Sequence, residues 1–138
     1  MTFKFPHDDN LFTECIQALN NQVIIMSKIE TAEIWKLFKS KVPITTWGRV
    51  DWSMIERKIE IGYEPEDIIP ALITLKQPID MTIYVLWNDA SVPIIKTNLN
   101  AVVANYNDVI ALETWFFNPR DGYVIEVLND CSITVGLI

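Results

Sequence analysis

The chain has 138 residues, of which 50% are apolar and 21% charged, enough apolar material for one domain with a full hydrophobic core. Its 18 carboxylates outnumber 11 Lys and Arg and leave a formal charge of −7. This composition excludes a disordered chain, and the negative charge argues against direct binding of nucleic acid, which needs clustered cations.

The first half of the chain is predicted to be helical. One helix can start at Asp8 or Asp9, and a second at the capping box formed by Ser27 and Glu30. A third can start at residues 64–67, where a proline follows Glu64 and precedes two acids. Because Pro70 interrupts this last segment, we expect either a short turn to Ile69 followed by a second helical segment through Leu75, or a kink.

The second half is predicted to form strands. Residues 81–87 are apolar on both faces, as in a central strand, and 92–95 form a short strand that Pro93 pushes toward a sheet edge. Asn98 can cap a helix whose apolar stripe runs from Leu99 to Tyr106, and residues 111–137 are predicted to form three consecutive strands. These elements predict an α+β fold in which a helical N-terminal half packs on a mainly antiparallel sheet with a C-terminal β-meander.

Strand pairing in this meander can be predicted from the side-chain pattern. We expect Trp115 opposite Ile125, and a three-residue loop at 129–131 that sets Ile125 opposite Val135. Glu113 then shares the apolar face of Trp115. It is either a strand-end carboxylate that reaches water or a perturbed carboxylate in a cleft.

Few residues carry recognisable chemistry. His7 is the one histidine, and Cys15 and Cys131 are the two cysteines, none with the spacing of a zinc site. A nucleophile–histidine enzyme would depend on His7, which we expect to be an exposed terminal residue. No phosphate-binding glycine loop is present. We therefore expect no metal, no cofactor and no catalytic residue.

The location is predicted from the same sequence. The N-terminal residues lack the apolar stretch of a secretory signal, and no segment is long and apolar enough to cross a membrane. We therefore expect a cytoplasmic protein in which Cys15 and Cys131 are reduced and buried.

The negative charge is concentrated in one part of the chain. Residues 1–58 hold 7 acids and 8 bases, whereas residues 59–138 hold 11 acids and 3 bases. This is either a solubilising surface or a means of steering a basic partner.

Several segments resemble a group of bacterial immunity proteins that belong to contact-dependent growth inhibition and related polymorphic toxin systems. They are residues 47–52, 86–89, 93–99, 108–115, 122–126 and 133–136. The resemblance implies a single immunity-type domain over residues 1–138 that is not an enzyme. It would neutralise the C-terminal domain of a cognate toxin, commonly a nuclease, and would be a monomer or weak dimer when free.

An acidic inhibitor can mask the basic active-site surface of such a toxin, because a nuclease must hold phosphates. The partner-binding residues expected on this hypothesis are two aromatic anchors and four acidic residues: Trp47, Trp52, Glu64, Glu66, Asp67 and Asp89.

The sequence is also compatible with three alternatives to a toxin-binding surface. Trp47 and Trp52 can instead cover the core without a partner. Glu113 can belong to a small carboxylate-dependent hydrolase or ligand-binding module. The aromatic residues can form the contact of a homo-oligomeric adaptor.

Overall fold

The computed structural model describes residues 9–20, 22–76 and 79–138. The elements are helix α1 (Asp9–Leu19), strand β1 (Val23–Ile25), helix α2 (Lys28–Lys41), strand β2 (Lys58–Gly62), helix α3 (Ile68–Leu75), strands β3 (Thr82–Trp87) and β4 (Ile95–Asn98), helices α4 (Leu99–Ala104) and α5 (Tyr106–Val109), and strands β5 (Thr114–Asn118), β6 (Tyr123–Val127) and β7 (Ile133–Leu137). Short 3₁₀ turns cover Trp52–Met54 and Pro65–Asp67.

The seven strands form one antiparallel sheet in the order β1-β4-β3-β5-β6-β7-β2. Successive side chains of a strand point to opposite faces, so each buried strand contributes to two cores. Helices α1, α3, α4 and α5 pack on one face, and α2 with residues 42–55 packs on the other. We call these the four-helix face and the α2 face. The predicted α+β fold with a C-terminal meander is confirmed.

Local signals placed most of the helix boundaries correctly. Ser27 and Glu30 form the predicted capping box at the start of α2, and the Asn98 side chain caps α4. The break near Pro70 lies earlier than predicted, because the turn ends at Asp67 and α3 begins at Ile68 with Pro70 as its third residue. Pro70 lies in the first turn of α3, where the backbone N–H has no helical acceptor to lose.

Two strand predictions were wrong. The strand expected at 92–95 lies at Ile95–Asn98, because Pro93 precedes the strand instead of occupying it. β4 is also not at an edge, since it pairs with both β3 and β1. The outer strands β1 and β2 both come from the half predicted to be helical.

The predicted strand register is correct in one hairpin of the meander and wrong in the other. The three-residue loop at 129–131 is confirmed, and Ile125 pairs with Val135. In the preceding hairpin Trp115 pairs with Glu126 instead of Ile125, one residue away from the prediction. The shift arises because Asn118 continues β5: its side chain accepts from the N–H of Asp121 at 2.7 Å.

The predictions for the N-terminal residues and for the two cysteines have different outcomes. His7 and Asp8 lie outside the described residues, so their predicted roles are not addressed. Cys15 is buried as expected, whereas Cys131 is exposed in the hairpin loop, with a φ of 68°. Within the described ranges, no helix has the length and hydropathy needed to cross a membrane.

Candidate functional site

A buried carboxylate lies at the centre of the α2 face. Glu126 in β6 is only 2% exposed and accepts three hydrogen bonds. The donors are the backbone N–H of Val50 at 2.7 Å, the indole of Trp52 at 2.8 Å and the indole of Trp115 at 3.0 Å. Two of these donors belong to the segment before β2. Glu126 therefore fixes that segment against the sheet, since a buried carboxylate is costly unless its oxygens are hydrogen-bonded.

A second carboxylate, that of Glu113 just before β5, contacts the same segment before β2. Glu113 is 7% exposed, and its Oε2 accepts from Nε of Arg49 at 2.8 Å. Its Oε1 accepts from Nδ2 of Asn88 at 2.9 Å. Glu113 does share the face of Trp115, as predicted, but it is neither open to water nor free. It ties the loop around Arg49 to the end of β3.

These two carboxylates support a small hairpin that exposes a tryptophan. Ile44 and Val50 form an antiparallel bridge, and the N–H of Thr45 donates to the carbonyl of Arg49 at 2.7 Å. Gly48 in the turn has a φ of +86°, a region that favours glycine. The indole of Trp47 at the tip is 75% exposed. A large apolar side chain on an ordered hairpin is a suitable anchor for a partner, because the backbone that carries it is already fixed before binding.

An open groove lies beside this hairpin, with a volume of about 760 Å³. Helix α2, the hairpin and the 88–93 turn line it. We call it the α2 groove. Buried aromatic side chains of Phe38 and Trp115 contribute to its floor, and Lys28, Lys36 and Lys39 are exposed around it.

The predicted acidic residues lie mainly elsewhere. Glu64, Glu66 and Asp67 are exposed around the turn that leads into α3, which packs on the four-helix face. Tyr63 beside them is 62% exposed, and Glu60 in the outer strand β2 is exposed too. None of the four carboxylates forms an ion pair with another described residue. We call residues 60–67 the acidic corner.

The six predicted partner-binding residues therefore fall into separate groups. Trp47 and Trp52 lie on the α2 face; Trp47 is exposed, and Trp52 is half-buried on Glu126. Asp89 lines the α2 groove, where its Oδ1 accepts from the N–H of Ser91 at 3.0 Å and from the Ser91 hydroxyl at 2.6 Å. The structure brings Glu64, Glu66 and Asp67 together, away from that groove.

Sequence reasoning did not single out several residues of these surfaces. Tyr63 precedes the predicted acids directly and could have been noticed as an aromatic residue within an acidic run. The lysines of α2 could have been grouped by helical spacing, since Lys36 and Lys39 are three residues apart. The part played by Glu126 had no sequence signal, because it depends on the strand register.

Glu113 is not free in a cleft, as the hydrolase alternative would require. Both oxygens of Glu113 are occupied by Arg49 and Asn88, and Asp89 is the one carboxylate that lines the α2 groove. In the described part of the chain, no three His, Cys, Asp or Glu side chains are grouped so that they could hold a metal ion.

Comparison with protein families gives a match over most of the chain. The family model described as CdiI immunity protein EcoliA0-like matches residues 9–136. No curated protein matches the chain.

Proposed function

Since the chain belongs to the CdiI immunity protein family and so binds and neutralises a cognate toxin, we propose that this toxin is a basic nuclease whose active-site surface the acidic corner covers. The observation that carries this proposal is the group of exposed carboxylates at Glu60, Glu64, Glu66 and Asp67, none of which forms an ion pair with another described residue.

Charge complementarity supports the proposal. A nuclease has to hold phosphates, so its active-site surface is basic, and exposed carboxylates can occupy the positions of the phosphates. Carboxylates without internal ion pairs keep their attraction for an outside cation, which increases the association rate and the specificity. Tyr63, exposed within the same corner, adds an aromatic contact.

The remaining features of the proposal follow from an inhibitory role. The protein acts in the cytoplasm as a single domain, without catalysis of its own, and is a monomer or weak dimer until the toxin binds. Trp47 supplies an additional aromatic anchor, and Asp89 a further charge. Glu113 and Glu126 support the hairpin that carries Trp47.

The experiment is a binding titration against the purified cognate toxin domain, at low and at high salt. We expect wild-type protein to bind tightly, with an affinity that falls as salt rises, and to restore growth when co-expressed with the toxin. The double variant Glu64→Gln, Glu66→Gln should raise Kd about fivefold at low salt and reduce the salt dependence.

The matched control removes two exposed carboxylates from the α2 side of the molecule. Glu33→Gln with Glu56→Gln changes the net charge by the same amount and should alter Kd less than about twofold. Equal effects of the two double variants would mean that net charge, and not the acidic corner, governs binding. A toxin complex whose affinity ignores salt would contradict the electrostatic proposal altogether.

A further inference from the structure

Lysines are grouped on one side of this acidic protein. Residues 26–58, which include α2 and the 44–50 hairpin, hold seven Lys and Arg against four Asp and Glu, although the whole chain carries a charge of −7. Glu113 neutralises Arg49 on the same face, and Glu60 and Glu126 also share that face, because both pair with Thr134 in the sheet. The excess of positive charge is therefore found at the lining of the α2 groove, where three lysines lie beside one acid, Asp89.

The α2 groove has the features of a peptide-binding groove. Its volume of about 760 Å³ is large enough for more than one side chain. Aromatic side chains of Trp35 and Trp115 line it, and Trp47 is exposed next to Gly48 at its border. Apolar surface of this kind gains free energy when a partner removes it from water.

The charged residues around the groove indicate the charge of the segment that it can bind. Lys28, Lys36 and Lys39 line it and are exposed, with Asp89 as their single acidic counterpart. Both oxygens of the nearby Glu113 are occupied by Arg49 and Asn88, so this acid does not neutralise the lysines. Nζ of Lys39 lies 5.9 Å from the centre of the Trp35 ring, so the ammonium group lies over one of the aromatic rings that line the groove.

We propose that the α2 groove receives an acidic segment of the cognate toxin, with an aromatic or aliphatic side chain of that segment against Trp35 and Trp115 and its carboxylates on Lys36 and Lys39. The inference rests on the proposed function, because it takes the toxin as the partner. It adds a second contact, whose charge is opposite to that of the acidic corner.

A contact of this kind affects specificity. A toxin would have to present both a basic surface for the acidic corner and an acidic, apolar segment for the groove. Two contacts of opposite sign reject a partner that satisfies only one, since the mismatched contact places like charges together.

The test uses the purified cognate toxin domain as the probe and two groove variants. Lys36→Gln with Lys39→Gln removes two charges from the groove and should raise Kd about fivefold. Ala32→Glu places a carboxylate on the exposed helical position that lines the groove, and should raise Kd about tenfold or more by repelling an acidic segment.

Matched controls change the same chemistry outside the groove. Lys41→Gln with Arg57→Gln removes two charges from the same layer, and Ala104→Glu adds a carboxylate to an exposed helical alanine of α4. Both should leave Kd within about twofold of wild type. All four variants should keep the thermal stability of wild type, since none of these side chains is buried.

The outcomes separate this inference from the proposed function. If wild type binds and protects but both groove variants retain its Kd, the inference is wrong and the proposed function stands. If wild type does not bind the toxin, the proposed function fails as well. Loss of self-association by Ala32→Glu, with an unchanged Kd for the toxin, would identify a second copy of this chain as the occupant and overturn the inference.

Discussion

At the scale of single residues, two tryptophans five positions apart have opposite environments. Trp52 donates its indole N–H to buried Glu126 at 2.8 Å, while Trp47 is 75% exposed at the tip of a hairpin. The backbone at Trp47 is held in place because Glu113 and Glu126 bind the chain just after it, at Arg49 and Val50, and the Thr45 N–H bonds the Arg49 carbonyl across the turn. One indole therefore contributes to folding and the other is available to a partner.

Alanine substitution should separate these two roles. Trp47→Ala should change the free energy of unfolding by less than about 0.5 kcal/mol but weaken toxin binding about tenfold. Trp52→Ala should destabilise the protein by about 2 kcal/mol, because Glu126 loses a hydrogen bond to a charged acceptor. Denaturant titration and toxin binding measure the two effects. A destabilised Trp47→Ala that binds toxin normally would assign Trp47 to the core instead.

At the scale of elements, strand β7 and the segment before β2 approach each other very closely. A Cβ atom at Gly136 would lie 2.6 Å from Cζ3 of Trp52 and 3.2 Å from Cγ2 of Ile55. The glycine is needed for this contact and not for its backbone angles. The C-terminal hairpin and the Trp52 turn thus form one packed unit, which carries the 44–50 hairpin with it.

Gly136→Ala should destabilise the protein by about 1–3 kcal/mol, because the added methyl group forces the Trp52 ring to move. The double variant Gly136→Ala, Trp52→Phe should lose less than the sum of the two single losses, since a smaller ring leaves room for the methyl group. Denaturant unfolding of the four proteins completes the cycle. If the losses in free energy of unfolding are additive, the methyl group at residue 136 does not strain the contact with Trp52.

At the scale of the whole molecule, the sheet separates two chemically different sides. The four-helix face buries Cys15 and Tyr123, and the α2 face carries the positive groove. Burial raises the pKa of the Cys15 thiol from 9.0 to about 12, with a further contribution from the charge of Asp108. Burial also raises the pKa of the Tyr123 hydroxyl from 10.0 to about 12. Both groups therefore hold their protons in the folded protein at pH values where the unfolded chain loses them.

Stability should consequently fall in alkali. The free energy of unfolding is unaffected by these two groups below pH 9. It falls as pH rises toward about 12, because only the unfolded chain releases the two protons over this interval. Each group lowers the free energy of unfolding by about 1.4 kcal/mol for each pH unit above its unfolded pKa. Urea titrations at pH 8 to 10.5 measure this slope, and Cys15→Ala should make it shallower. An unchanged slope in that variant would contradict the assignment to Cys15.

Local signals predicted the elements whose ends are marked by side chains acting on the nearby backbone. Ser27 with Glu30, Asn98, and the proline pair around α3 each act within a few residues, so their effects could be recognised in the sequence. Strand β2 has no such signal. Its stability comes from pairing with β7, about 75 positions later in the chain.

The sequence by itself determined an acidic α+β protein, its helix starts, its three-residue C-terminal loop and its resemblance to immunity proteins. The tertiary structure decided which residues meet: a one-residue difference in register placed Glu126 beside Trp115 and under Trp52. It also separated the acidic corner from the lysine-lined groove. Register and face depend on hydrogen bonds and packing between distant segments, and these interactions leave no local pattern in the chain.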